Sequence, residues 1–236
     1  MSTVAFITAR GLFGRRRALL LLPLPLLLIG LAAICRAYDV SPDMWGQAVI
    51  VGLGLVVVLP VVALIVGTGV LGSEIDDGTI VHILTKPLAR REIILAKYAV
   101  AASVTAVVSA VPLFVTGVLA GSVKLGAALA VAAVVGALAY SALFLLFSLV
   151  SRRPVLVGLV YILVWEGLLG NFVSGTKNLA IGQYVITIAD KIAPTAILES
   201  TIGLTTAIVM SAIFTVLGTV AAINRLGSFS LAGETS

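Results

Sequence analysis

The sequence predicts an all-α integral membrane protein with six transmembrane helices and both termini in the cytoplasm. Three observations lead there. Six apolar stretches, at about residues 18–37, 46–72, 93–121, 125–150, 155–173 and 201–222, approach or exceed the roughly 20 residues that cross a hydrocarbon core of about 30 Å. Composition agrees: 61% of residues are hydrophobic, 11% are charged, and the mean hydropathy is +1.23, which excludes an ordinary soluble domain. The third observation is the placement of the 15 Lys and Arg residues. With the N-terminus inside, eleven lie inside: Arg10, Arg15, Arg16, Arg17, Lys86, Arg90, Arg91, Lys97, Arg152, Arg153 and Arg225. Only Arg36, Lys124, Lys177 and Lys191 lie outside. Cationic loops stay cytoplasmic, so this asymmetry selects one orientation and rejects the reverse.

Residues 1–17 are expected to form an interfacial amphipathic helix, the alternative being a disordered basic tail. Val4, Phe6, Ile7, Leu12 and Phe13 make one face of a predicted helix, and Arg10 with Arg15 to Arg17 reach toward head groups. The first span is too long for a signal peptide and lacks a small-residue cleavage site. Pro23 and Pro25 perturb its first turns. The second span carries Gly46, Gly52, Gly54, Gly67, Gly69 and Gly72, and the fourth is dominated by Ala, Val and Gly from Ala127 to Ala139. Small side chains let helices approach closely in lipid, so these two spans are expected to face each other or a partner subunit. Pro60 and Pro112 fall mid-span and each removes a backbone donor, which predicts kinks. No internal repeat is evident, so an inverted-repeat transporter is not supported. The permease domain spans residues 18–225, and 226–236 are expected to be a cytoplasmic tail.

The longest outer connection, about 174–200, is not strongly polar. Leu179, Ile181, Tyr184, Val185, Ile186, Ile188, Ile192 and Ile197 punctuate it, and Pro194 breaks it. Such a segment is expected to lie in the outer interface or dip partway into the membrane as short helices.

The cytoplasmic connection at about 73–92 holds the densest polar cluster in the chain. Asp76 and Asp77 precede a short apolar helix at about 79–86, where carboxylates suit the positive end of the helix dipole. Gly78 permits a sharp entry, Ile80, Ile83 and Leu84 form an apolar stripe, and Pro87 ends the helix. A helix of this kind, held parallel to the membrane, can project into a groove on a cytoplasmic partner.

The run Glu74, Gly78, Thr79, Leu84, Pro87, Arg90 and Lys97 resembles the pattern of ABC-2-type permeases, the membrane subunits of one class of ATP-binding-cassette exporters. The interfacial N-terminus, six spans, cytoplasmic ends and outer helices between spans five and six are similar as well. The pair Trp165-Glu166 resembles a subset of these permeases. Lys86 stands where many relatives have serine before the proline. The resemblance implies a coupling helix that inserts into a nucleotide-binding subunit. Glu74, Asp77, Gly78, Thr79, Ile83, Leu84, Pro87 and Arg90 are then the residues expected at that contact. It also implies cytoplasmic ATPase subunits that carry ATP and Mg, a second permease subunit as homodimer or heterodimer, and no cofactor on this chain. The Ala/Val/Gly-rich spans suggest a bacterial plasma membrane.

Glu166 is the acidic residue well inside a span, about 18 Å above Pro154 at 1.5 Å per residue. Burying its charge is costly, which makes it a functional candidate. Two roles are open: an uncharged donor in a helix-to-helix hydrogen bond, or a charge facing the transport pathway. Its neighbours Trp165, Gly167 and Gly170 suit a close helix contact.

Other chemistry is not supported. The net charge of +5 reflects cations beside span ends, where they meet lipid head groups, so no nucleic-acid partner is expected. Cys35, the single cysteine, forms neither an intrachain disulfide nor a thiolate cluster. His82 has no second ligand nearby in sequence, so no metal site is expected. Gly67 to Ser73 has the outer glycines of a phosphate-binding loop without its lysine. No Ser/His pair is placed for hydrolysis within the membrane. The leading expectation is a non-enzymatic exporter subunit for a drug, lipid or hydrophobic peptide. The alternatives are an ion-coupled carrier or channel using Glu166, and a membrane scaffold.

Overall fold

The computed structural model describes residues 21–76, 90–169 and 179–228, and these are mostly helical with no strand among them. The expected interfacial helix at 1–17, the short helix at 79–86 and the end of the chain lie outside the described residues. Helix α1 is Pro23–Ala37. Helix α2 is continuous through Pro42–Gly46, Gln47–Val58 and Leu59–Asp76. Helices α3, Arg90–Leu119, and α4, Val123–Val150, form a hairpin. Helix α5 runs through Pro154–Val160 and Tyr161–Leu169. Helix α6 is Ile181–Ile192 and α7 is Leu204–Ser228.

Among the described residues, four helices are long and apolar enough to cross a membrane: Pro42–Leu71, Arg91–Leu119, Val123–Val150 and Leu204–Leu226. The other two expected spans appear as shorter apolar helices, Pro23–Ala37 and Pro154–Leu168, each close to undescribed residues. Several boundaries differ from the sequence expectation for local reasons. Helix α2 begins four residues early because Pro42 is preset for the first helical turn. Helix α3 ends at Leu119 because the chain turns at Gly121, whose φ of +104° suits glycine. The Ser122 hydroxyl then accepts the Leu125 N–H at 3.2 Å and starts α4. Helix α7 continues to Ser228, into the expected tail, with Arg225 in its last turn where a cation meets the negative end of the dipole.

Gln47–Val58 and Tyr161–Leu169 wind with wider π-type turns. In α2 this winding ends at Leu59, whose N–H bonds the Gly54 carbonyl, one residue before the donor-less Pro60. Helix α3 passes through Pro112 without interruption.

Helix α4 is the centre of the bundle and packs against α2, α3, α6 and α7. Its buried face is mostly small: Ala128, Ala132, Ala133, Gly136, Ala137 and Ala139. The closest approach of backbone to backbone is in the α3–α4 hairpin. A Cβ on Gly117 would stand 2.5 Å from the Gly126 Cα, and one on Gly126 would stand 2.6 Å from the Phe114 carbonyl oxygen. Backbone meets backbone there, and dispersion across the close contact holds the pair.

A second apolar cluster joins Leu71 of α2, Ile94 of α3, Leu145 and Leu149 of α4, and Ala222 and Leu226 of α7. It brings together the end of α2, the start of α3 and the ends of α4 and α7. The chain therefore alternates direction through these helices, and the 77–89 connection leaves from this end.

Candidate functional site

Helix α6 starts without a cap of its own. Ala180, extended at φ −96° and ψ 121°, has no side-chain oxygen to accept the first-turn N–H groups. The Gln183 N–H reaches the Ala180 carbonyl, which leaves those of Ile181 and Gly182. Both end on one side chain from another helix. Glu166 Oε1 accepts the Ile181 N–H at 2.9 Å, and Oε2 accepts the Gly182 N–H at 3.0 Å. Glu166 is 7% exposed. A carboxyl group at a helix N-terminus also complements the helix dipole.

The winding of α5 adds a third donor. The Tyr161 hydroxyl donates to Glu166 Oε1 at 3.0 Å. In an α-helix, residues five apart point roughly 140° away from each other. The π-type turns of Tyr161–Leu169 bring them to the same side. The Tyr161 ring is held edge-on by Phe144 and Phe147 of α4, at 6.2 and 6.0 Å between centroids. Trp165 ties the same two segments together, its Nε1 donating to the Leu179 carbonyl at 3.2 Å.

Gly182 makes the contact possible. A Cβ at that position would lie 2.9 Å from Glu166 Oε2. Tyr140 of α4, fully buried, borders the same carboxyl group, but its hydroxyl makes no hydrogen bond of standard geometry. Helix α6 itself is packed inward. Ile181, Tyr184, Val185 and Ile188 are all buried at helical spacing against α2, α4 and α7. It is a buried element, because both its apolar stripe and its N-terminal N–H groups find partners inside the bundle.

In this geometry the oxygens of Glu166 accept hydrogens from two main-chain N–H groups of α6 and from a phenol of its own helix. Sequence reasoning missed Tyr161, Tyr140 and the Ile181-Gly182 backbone. The one available signal was the absence of Ser, Thr, Asp or Asn immediately before α6. Among the described residues, no group of three or more His, Cys, Asp or Glu is placed to hold a metal ion.

Of the residues expected at an ATPase contact, Asp77, Gly78, Thr79, Ile83, Leu84 and Pro87 lie outside the described residues. Glu74 falls in the last turn of Leu59–Asp76, and Arg90 is the first residue of α3. The two helices that carry this connection are joined close to it. Lys97 of α3, 1% exposed, donates from Nζ to the Val70 carbonyl of α2 at 3.0 Å. Together with the cluster of Leu71, Ile94 and their neighbours, this bond ties the roots of the connection to the bundle.

A family model described as ABC-2 family transporter protein matches residues 16–173, which is 158 of the 236 residues. The matched stretch contains the 77–89 connection and Glu166, and it ends before α6. No curated protein matches the chain.

Proposed function

The chain belongs to the ABC-2 family of transporter proteins, and we propose that it is the transmembrane subunit of an ATP-binding-cassette exporter. In this reading six spans cross a bacterial plasma membrane, α1 and α5 completing the four long helices, with both termini in the cytoplasm. The observation that carries the proposal is the family match across the 77–89 connection, set on two helices tied at their roots by Lys97 and Val70. The cations support the orientation. Arg152 and Arg153 follow α4, and Arg225 lies in the last turn of α7, at the end from which 77–89 emerges.

Two such permeases, identical or homologous, enclose the pathway, and two separate ATPases bind ATP and Mg. Closure of the ATPases pulls on the segment around 79–86. The buried Lys97 bond and the apolar cluster pass that displacement to α2 and α3 as a rigid unit. The apolar spans favour a drug, lipid or hydrophobic peptide as cargo. A carrier that uses Glu166 to bind a coupling ion is less well supported, because both carboxyl oxygens are already engaged in capping α6.

The test is Ile83→Asp. The variant is expected to insert normally and to lose co-purification of its ATPase, or to leave ATP hydrolysis uncoupled from transport, because a charge replaces an apolar contact in a buried groove. Undiminished ATPase binding and transport would remove the coupling role.

A further inference from the structure

A groove of about 630 Å³ runs between α4, α6 and α7, apart from the Glu166 site. Its walls are hydrocarbon, with Val135 and Leu138 from α4, Ile192 from α6, and Ile208, Ala212 and Val216 from α7. Ser211 and Thr215 also line it, but their hydroxyl hydrogens are committed within α7, to the carbonyls of Ala207 and Ser211. The charged residue of the lining is Lys191, in the last turn of α6. Its side chain is half exposed, and Asp190 is its neighbour at 3.7 Å. Asp190 in turn accepts the Ser200 hydroxyl at 2.6 Å, so it is shared between two partners.

The dimensions of the groove restrict what can fill it. Leu204 and Val216 both line it. At 1.5 Å per residue they stand about 18 Å apart along α7. One leaflet of a hydrocarbon core is about 15 Å deep, half of roughly 30 Å. The groove is thus one leaflet long, apolar along its length, and supplied with a cation. We propose that it holds an acyl chain of an anionic membrane phospholipid, with the head group set against Lys191. The inference uses the membrane topology proposed above and is independent of transport.

The purified protein, in detergent, is incubated with equal amounts of phosphatidylglycerol and phosphatidylcholine of the same chain length. Bound lipid is then read by native mass spectrometry, and folding by thermal melting. Wild type is expected to retain the anionic lipid roughly fivefold over the zwitterionic one, the selectivity of one interfacial cation. Lys191→Ala is expected to lose that preference while still holding lipid. Ala212→Trp, which fills the groove, is expected to lose both lipids. If Ala212→Trp does not fold, Val216→Phe makes the same obstruction with a smaller ring. Equal retention of the two lipids by wild type, or a preference that survives Lys191→Ala, overturns the head-group assignment. A full lipid load in the groove-filling variant overturns the site. If that variant instead separates a dimer into monomers with lipid unchanged, the groove houses a second copy of the chain and the proposal fails. The assay contains no ATPase, so a failure of the exporter reading leaves its result intact.

Discussion

Glu166 Oε2 lies 3.0 Å from the Gly182 nitrogen, and a Cβ on Gly182 would come within 2.9 Å of the same oxygen. The carboxyl group is pinned by three donors and does not swing aside freely. Gly182→Ala is therefore expected to displace it and to destabilise the protein by about 1–3 kcal/mol, the range for leaving buried polar groups unpaired. Thermal unfolding in detergent measures this. In a Glu166→Ala background the same substitution should cost much less, because the contact it disturbs is already gone. Additive losses would show that the two residues do not act together.

Glu166→Gln distinguishes an acceptor from a donor. An uncharged donor would be replaced by glutamine without loss. In the observed geometry both oxygens accept, and an amide offers one oxygen and one NH₂, so one main-chain N–H must face another donor. Glutamine is expected to cost about 1–3 kcal/mol, and Glu166→Leu, which removes both acceptors, more than that. A glutamine variant as stable as wild type would exclude the capping role.

Two tyrosines make a matched pair. The Tyr161 hydroxyl is hydrogen-bonded to Glu166, whereas that of Tyr140 makes no such bond. Tyr161→Phe should cost about 1 kcal/mol, and Tyr140→Phe should be neutral or slightly stabilising, since it removes an unsatisfied buried hydroxyl. The reverse ranking in melting temperature would mean that the second tyrosine is the working partner.

Glycines test the packing account. A methyl group on Gly30 of α1 would meet nothing within 4 Å, while one on Gly117 would strike the Gly126 backbone at 2.5 Å. Gly30→Ala is expected to be neutral or to stabilise by up to about 1 kcal/mol through helix propensity. Gly117→Ala should destabilise by about 1–3 kcal/mol, because backbone must move to admit the methyl. Equal melting temperatures for the two variants would show that α3 and α4 are not held in close contact.

Orientation is tested by single cysteines in a Cys35→Ser background. Cysteines at Ser2, His82, Arg152 and Ser236 should react only with reagent on the cytoplasmic side. Those at Asp43, Lys124 and Lys177 should react from outside. Labelling of the His82 position from outside would place the 77–89 connection on the wrong side for any ATPase.

Helical class, membrane residence and family are all legible along the chain. Long apolar stretches need no knowledge of neighbours, since lipid obliges each to satisfy its own backbone within a helix. The ABC-2 resemblance rests on local residues, Glu74 through Lys97, and the family match spans them. Glu166 stands out because a carboxyl group is costly in that setting. What it does is not legible, because its partners are main-chain N–H groups 15 and 16 residues away, and a backbone donor has no sequence signature. The alignment of Tyr161 with Glu166 depends on a π-type winding that the 3.6-residue period does not reveal. The segment that holds α6 reads from its sequence as lying in the outer interface or dipping partway into the membrane, because it is not strongly polar. What the sequence does not show is its seat in the bundle, where α2, α4 and α7 supply an apolar surface and α5 supplies a cap. Local hydrophobicity thus determined the helical class and the apolar helices long enough to cross a membrane. Only the assembled bundle decided which polar groups meet inside it, because those meetings depend on distance in space and not on spacing along the chain.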